Sequence, residues 1–567
     1  MQLKQESPLL LYGNWVDENG EEHEQEYIFV QDGIIRSISA ERPANLPENT
    51  LEYHAGSDAY IFPGFINLHT HVDWNLFPMW GDQDKPWGNK HQYACDNRFQ
   101  WRDDKNYHAG ISAAHHYVAD NWDRQMTQDV TIGTAFQLFS EIQAVAGGTT
   151  VLQENVTAIC CGAHDPRHGC HGTDQHTKYE PRKHALIRNT GSADDLKRKS
   201  GEVFSCVQFY TPQRVHDNRD PEKEKKPLIP PQDTSDWELY TDTSGFNSFK
   251  ALEDSFNDYE AIDIVLVHLA EGRAGNQDPR GVDAYTRKEF DAFKRYMDAN
   301  RAKYSKVKIG LIHGCGMDLS EAGAETTIEF LKDHNIGLVW SPVSNLLLYG
   351  DTVDATKFLD RPEDDVLVCL GSDWSPSGSK NVCQEAQLAY WYLTDVMLYE
   401  NPNLRQRLYR MITTQPAKLL GIDAGSIKVG NWADFAIMDR VAGNDTPLDA
   451  LFDFSEFYNE NINAVVNGGV LVYGNHDVFE DWGIEGHSLP AQMGNTASQK
   501  CINLPSHLKT IDLDHHLTTL KQLLNESFAK AYGQEMQFSL PLSEDDRHYQ
   551  AAIHELEMRF TQRKLSD

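Results

Sequence analysis

The 567-residue chain is long enough for one large domain with satellites, and its 40% apolar residues suffice for a sizeable core. Its 51 basic against 85 acidic side chains leave a net charge of −34, a solvated acidic surface that argues against nucleic acid or an anionic membrane as a partner. No apolar stretch nears the ~20 residues of a membrane span, the segment from Met1 to Glu6 lacks the plan of a signal peptide, and nine irregularly spaced cysteines fit reduced thiols, so a cytoplasmic protein is expected.

In chain order, residues 27–38 read as a hairpin with Asp32-Gly33 as its turn. The run 60–68 follows, short and almost continuously apolar, as strands buried on both faces are. Residues 73–101 are rich in aromatics (Trp74, Phe77, Trp80, Trp87, Tyr93, Phe99, Trp101), and this stretch is read either as a wall for a flat substrate or as a set of anchors for a long loop. The segment 160–176 concentrates Cys and His without a standard zinc spacing and is read as an active-site lid, while 223–231 is a charged, Pro-rich surface loop. Strands are then expected at 203–210, 262–267, 307–312, 336–340 and 365–370, with helices at 287–300 and 319–334 between the later ones. Strands alternating with helices mean βαβ units and a parallel sheet. Short strands return at 425–438 and 464–473, and amphipathic helices are expected at 511–532 and 543–562.

Chemistry-bearing residues sit where the parallel strands end: His69 and His71, His268 and Glu271, His313, Ser344 and Asn345, and Asp373. A (β/α)8 barrel builds its active site from those ends, so all five pieces are placed around one mouth. Two imidazoles two residues apart point the same way from an extended strand, and with His268 and Asp373 they complete a three-His, one-Asp shell with room for a water. Taken singly these residues read as ordinary hydrogen-bonded histidines and a helix N-cap; their combination points to a divalent ion. Glu271, outside that shell, is the candidate proton carrier, and His313 the candidate partner of the water or of the developing oxyanion, with Asp373 a second acceptor for the water's proton. Trp80 and Asn345 are the candidate substrate contacts. Walker, G-x-G-x-x-G and G-x-S-x-G patterns are absent, which leaves nucleotide-dependent and serine-hydrolase readings without support.

The stretch from Pro63 to His71 resembles the first barrel strand of the amidohydrolase superfamily, and Ala146-Gly-Gly-Thr-Thr150 the turn into its second. His268-Leu-Ala-Glu271, Ile312-His-Gly314, Ser341-Pro-Val-Ser-Asn345 and Leu370-Gly-Ser-Asp373 are similar to its fifth to eighth strand ends. The nearest branch holds guanine and cytosine deaminases, chlorotriazine hydrolases and imidazolonepropionase. The resemblance implies one metal on His69, His71, His268 and Asp373, with Glu271 and His313 transferring protons. Two-metal branches need a Lys on the fourth strand, and 203–210 contains none. It further implies a barrel over 61–421 inserted in a small β-sandwich from 1–60 and 422–485, followed by a helical extension over 486–567. The expected protein is a homodimeric hydrolase of a non-peptide C–N bond in a heterocycle or amide. Its expected ion is zinc, with iron and manganese as alternatives. The other reading, a catalytically dead barrel used for binding or assembly, would expect lost ligands.

Overall fold

The computed structural model of the protein describes residues 6–80, 95–102, 105–127, 130–153, 185–190, 196, 202–206, 262–441, 443, 446–453, 461–490, 493, 499–509, 511–532, 556 and 558. The Cys/His-rich segment 160–176, the loop 223–231 and most of the expected helix 543–562 lie outside them. Five strands open the chain: β1 (Leu9–Val16), β2 (Glu22–Gln31), β3 (Ile34–Ser39), β4 (Leu51–His54) and β5 (Ala59–Pro63). Then come β6 (Phe65–Asn67), β7 (Thr149–Leu152), β8 (Arg188–Asn189), β9 (Glu202–Cys206), β10 (Ile262–Leu269), β11 (Lys308–His313), β12 (Ile336–Trp340) and β13 (Val368–Leu370). The last are β14 (Phe435–Asp439), β15 (Ile462–Asn467), β16 (Val470–Asn475), β17 (His487–Ser488) and β18 (Lys500–Ile502).

The two ends of the chain meet in one ten-stranded sheet, ordered β17-β18-β16-β15-β14-β5-β1-β2-β3 with β4 on β1. The junction is the antiparallel pair β5·β14, with Phe62 opposite Ala436 and Ile61 opposite Ile437. The turn between β2 and β3 is the expected one: Asp32 and Gly33 both take left-handed backbone (φ 57° and 72°), the geometry that matches a tight turn to the twist of its strands. The sheet also reaches farther than expected, since β18 pairs with β16 and puts Tyr473 opposite Ile502. A three-residue strand shows too little alternation to stand out in a sequence, so 498 onward reads as helical there; the helix itself runs Leu513–Tyr532.

The strand 60–68 breaks at Gly64. β5 stays in the ten-stranded sheet and β6 begins a parallel one, ordered β6-β7-β8. A side chain at Gly64 would overlap Thr150, so glycine lets the chain pass between the two sheets. A second parallel sheet runs β13-β12-β11-β10-β9, and an isolated parallel bridge from Thr70 to Asp373 brings its last strand beside β6. β6 to β13 therefore lie side by side in chain order; among the described residues no ladder joins β8 to β9. Both faces of β10, β11 and β12 are buried over most of their length, and successive residues feed different clusters: Ile264 and Leu266 pack with Ile312 and Val339, while Val265 and Val267 pack with Ile309 and Leu311. β12 coincides with the expected 336–340, whereas β13 starts only at Val368. Among the described residues no helix is long and apolar enough to cross a membrane.

A buried ion pair couples the parallel strands to the ten-stranded sheet. Arg188 of β8 bonds Asp434 just before β14, with side chains 5% and 3% exposed, and its guanidinium lies 4.3 Å over Trp432. The other Asp434 oxygen accepts the Gly468 amide at 2.7 Å. Removing one partner strands the other charge away from water, so Asp434→Ala should lower stability by about 3–5 kcal/mol, read as a fall in Tm. A change within 0.5 kcal/mol would mean that solvent reaches the pair.

Candidate metal centre

The polar residues past the C-terminal ends of the parallel strands converge. His69 and His71 follow β6, His268 lies in β10, His313 closes β11 and Asp373 follows β13. The Nε2 atoms of His69 and His268 are 2.8 Å apart, and His71 Nε2 is 3.2 Å from each. Asp373 Oδ1 lies 3.2 Å from His69 Nε2 and 3.1 Å from His71 Nε2. A neutral imidazole has one N–H, so three rings cannot satisfy all of these contacts as hydrogen bonds. The spacing is instead close to the ~3.3 Å edge of a tetrahedron with bonds of about 2.0 Å, the shape of a four-coordinate divalent site. His69 Nδ1 stands 2.6 Å from Ser341 Oγ, and a proton placed there leaves the Nε2 lone pair facing the other ligands. The donor set therefore fits one divalent ion.

The surrounding backbone is shaped to this end. Asp373 N donates to His69 O at 2.8 Å, and a side chain on Gly371 would overlap His69, so only glycine permits the approach of the eighth strand to the first. Asn67 locks the same seam, with Oδ1 accepting from His69 N and Ser372 N, each at 3.2 Å, and Nδ2 donating to Ser372 Oγ at 2.7 Å. Ala270, His313 and Asp373 hold left-handed backbone (φ 54°, 68° and 58°), a conformation costing roughly 1–3 kcal/mol each in a non-glycine residue.

Beyond the four ligands stand the two expected proton-transfer groups. His313 Nε2 is 3.7 Å from Glu271 Oε2 and 4.0 Å from Asp373 Oδ2. Its Nδ1 lies 3.0 Å from Asn345 Oδ1, so Asn345, expected as a substrate contact, here holds His313. Asn345 reaches that position on the buried helix Pro342–Tyr349, started by a proline in the first turn and stopped by Gly350 at φ 65°. Glu271 Oε1 accepts from Tyr349 OH at 2.5 Å, and Tyr349 accepts from Trp101 Nε1 at 2.8 Å. Neither Tyr349 nor Trp101 is singled out as a candidate by the sequence, where the bonds span 78 and 248 residues. Trp80 is fully buried, its ring 5.9 Å from Trp101 and 5.4 Å from Tyr107. These neighbours support the anchoring role for Trp80. The ring that approaches the ligands is Trp374, 6.5 Å from His71 and 5.1 Å from Trp74.

Burial governs the charges. It lowers His69 to about 4, overcoming the pull of Asp373, and takes His268 well below its ordinary value with help from His69 and His71. Burial acts to raise Asp373, but the charge on His69 and bonds from His69 and His71 outweigh it and hold the carboxyl well below the usual range. Without metal, His69 stays neutral in the fold at a pH where the unfolded chain, titrating near 6.5, takes up a proton. The unfolded state then binds more protons between pH 6.5 and about 4, so stability falls as the pH drops through that window. The chelated protein should be less stable at pH 5 than at pH 7, by about 2 kcal/mol from His69 alone, measured by denaturant titration. Equal stability at the two values would mean that the rings are protonated in the fold.

Residues 264–472 match the model of the amidohydrolase family. The chain is 29% identical over 151 residues to a 5′-deoxyadenosine deaminase of Methanococcus maripaludis, a match covering 26% of this chain and 35% of that protein. It thus spans about a third of the length of the curated relatives it matches. Among solved structures it superposes on an adenosine deaminase from Xanthomonas campestris with bound zinc, at a TM-score of 0.53 and 16% identity, over 92% of this chain and 98% of that one. It also superposes on a triazine hydrolase from Arthobacter aurescens, at a TM-score of 0.52 and 14% identity, over 92% and 100% of the two chains. At such identities the superpositions establish the fold alone, a mixed α/β fold of the TIM-barrel kind.

Proposed function

We propose that the chain, whose residues 264–472 match the model of the amidohydrolase family, is a metal-dependent hydrolase of a non-peptide C–N bond in a small heterocycle or amide. The observation that carries this reading is the meeting of three imidazole nitrogens at separations of 2.8–3.2 Å, with one carboxylate oxygen 3.1–3.2 Å from two of them. We assign one divalent ion to His69, His71, His268 and Asp373, zinc first, with iron or manganese as alternatives. Such an ion supplies a water acidified toward neutral pH and a positive charge beside the oxygen that develops on the substrate carbon.

Glu271, within reach of His313 but outside the four ligands, takes the proton of the attacking water and delivers it to the leaving nitrogen. With Nδ1–H committed to Asn345, His313 accepts at Nε2 when neutral and donates there only as imidazolium. In that form it can donate to the developing oxygen from its place beside the two carboxylates. Trp374 and Trp74 offer aromatic faces beside the ligands for a flat substrate, with Trp80 behind them. The deaminase relative supports an amino-purine nucleoside as the first substrate class to try. We propose as the domain plan the closed barrel over 61–421 and the sandwich from 1–60 and 422–485, the latter extended by β17 and β18 to Ile502, with a helical extension after them and the assembly a homodimer. The buried thiols Cys315, Cys369, Cys383 and Cys501 support a reducing cytoplasm.

Metal analysis of the purified protein should give about one divalent ion per chain, lost in His69→Ala. Two ions bound at these strands would overturn the mononuclear assignment. The reaction is read by screening amino-heterocycles against cyclic amides on the metal-loaded protein. Ammonia with the ring intact marks deamination, and a new carboxylate without ammonia marks ring opening. Glu271→Gln should cut turnover about 10²- to 10⁴-fold at unchanged metal content. Metal lost in step with activity would make Glu271 a ligand.

A further inference from the structure

The aromatic stretch after the first ligand pair has a member that reaches the proton-transfer residue. The segment 95–102 lies along the chain just past His268: Asn97 bridges Gly272, Arg98 N donates to Glu271 O at 3.3 Å, and Arg273 N donates to Asp96 O at 2.8 Å. This antiparallel contact holds the backbone from Glu271 to Arg273 and places Trp101 over the end of the helix Pro342–Tyr349. From there the hydrogen bonds run in one direction. An indole nitrogen only donates, so Trp101 must give its proton to the Tyr349 oxygen, and Tyr349 then has its own proton to give to Glu271 Oε1. Trp101 and Tyr349 are 5% and 0% exposed, which keeps water from replacing either donor. Burial, with Glu271 beside it, raises Tyr349 well above the ordinary phenol value, so the proton stays on the oxygen.

We infer that Tyr349 is a positioning residue which, oriented by Trp101, holds Oε1 of Glu271 and leaves Oε2 turned toward His313 as the oxygen that handles the proton. The inference rests on the role of Glu271 proposed above. It assigns one member of the aromatic stretch, Trp101, a task on the chemistry itself, beside the face that Trp74 offers to substrate. Oε2 already stands 3.7 Å from His313 Nε2. A carboxylate free to rotate would spend much of its time with neither oxygen so placed, and misplacement of about 1 Å in a reacting group can cost 10²-fold in rate.

The test uses the full-length, metal-loaded protein and Tyr349→Phe, which removes the hydroxyl and keeps the ring. Turnover should fall about ten- to a hundredfold with KM within about twofold and the metal retained. Trp101→Phe should fall in the same direction by less. Because Tyr349 acts through Glu271, adding Tyr349→Phe to Glu271→Gln should change the residual rate by less than about twofold. Unchanged kcat in Tyr349→Phe, or a full multiplicative loss in the double variant, overturns the inference. Crystal structures of the metal-loaded wild type and Tyr349→Phe give a readout that needs no activity. Glu271 should hold one orientation on Tyr349 in the first and turn away or split in the second; one identical orientation in both overturns the inference. A wild type that hydrolyses no C–N bond in the screen defeats the proposed function, and the crystallographic comparison still decides the placement of Glu271.

Discussion

Four groups of ligand type, His69, His71, His268 and Asp373, gathered in a dry interior are the constraint on which the rest of this structure depends. Three imidazole nitrogens within 3.2 Å of one another have their lone pairs turned inward, and burial resists giving any of them a proton. Asp373 is held ionised among them despite the cost of desolvating a carboxylate. Nothing in apolar packing favours this arrangement. It is kept because strands buried on both faces fix where their ends lie, and because a cation there would repay the mutual repulsion of the ligands.

Part of the backbone strain lies at the same place. Three of the eight left-handed non-glycine residues among those described, Ala270, His313 and Asp373, lie at strand ends around this site, and the close contact of Gly371 with His69 falls at the seam between the first and last parallel strands. Backbone costs of this kind persist only where the surroundings over-determine them. Here the surroundings are the paired runs of Val, Ile and Leu below, and the Asn67 side chain that ties both sides of the seam at once.

The sequence made the framework readable where periodicity and residue chemistry coincide. β12 matches the expected 336–340, and the hairpin turn at Asp32-Gly33 is where dipeptide chemistry puts it. The residues that converge were legible because each is an unusual residue at the end of an apolar run, a signal local to a few positions. β18 was not, since three residues carry no period, and β13 begins three residues late because an apolar run does not mark where its ladder starts. Asn345 was expected to face the substrate and instead holds His313, a partnership that requires knowing how the helix after β12 is turned.

The bonds from Trp101 to Tyr349 to Glu271 lie beyond any such reading, because the residues are distant in sequence and each has a commoner use as packing. They give a segment outside the strand ends a route to Glu271 through hydrogen bonds alone. The segment 95–102 aligns with the backbone past β10 through ordinary amide bonds, and that alignment delivers one indole proton to one phenol. A strand end alone sets the position of Glu271 along the chain but leaves its carboxyl free to turn. On the roles proposed above, the strand ends gather the candidate ligands, and the segment 95–102, through Trp101 and Tyr349, orients the group assigned to move the proton.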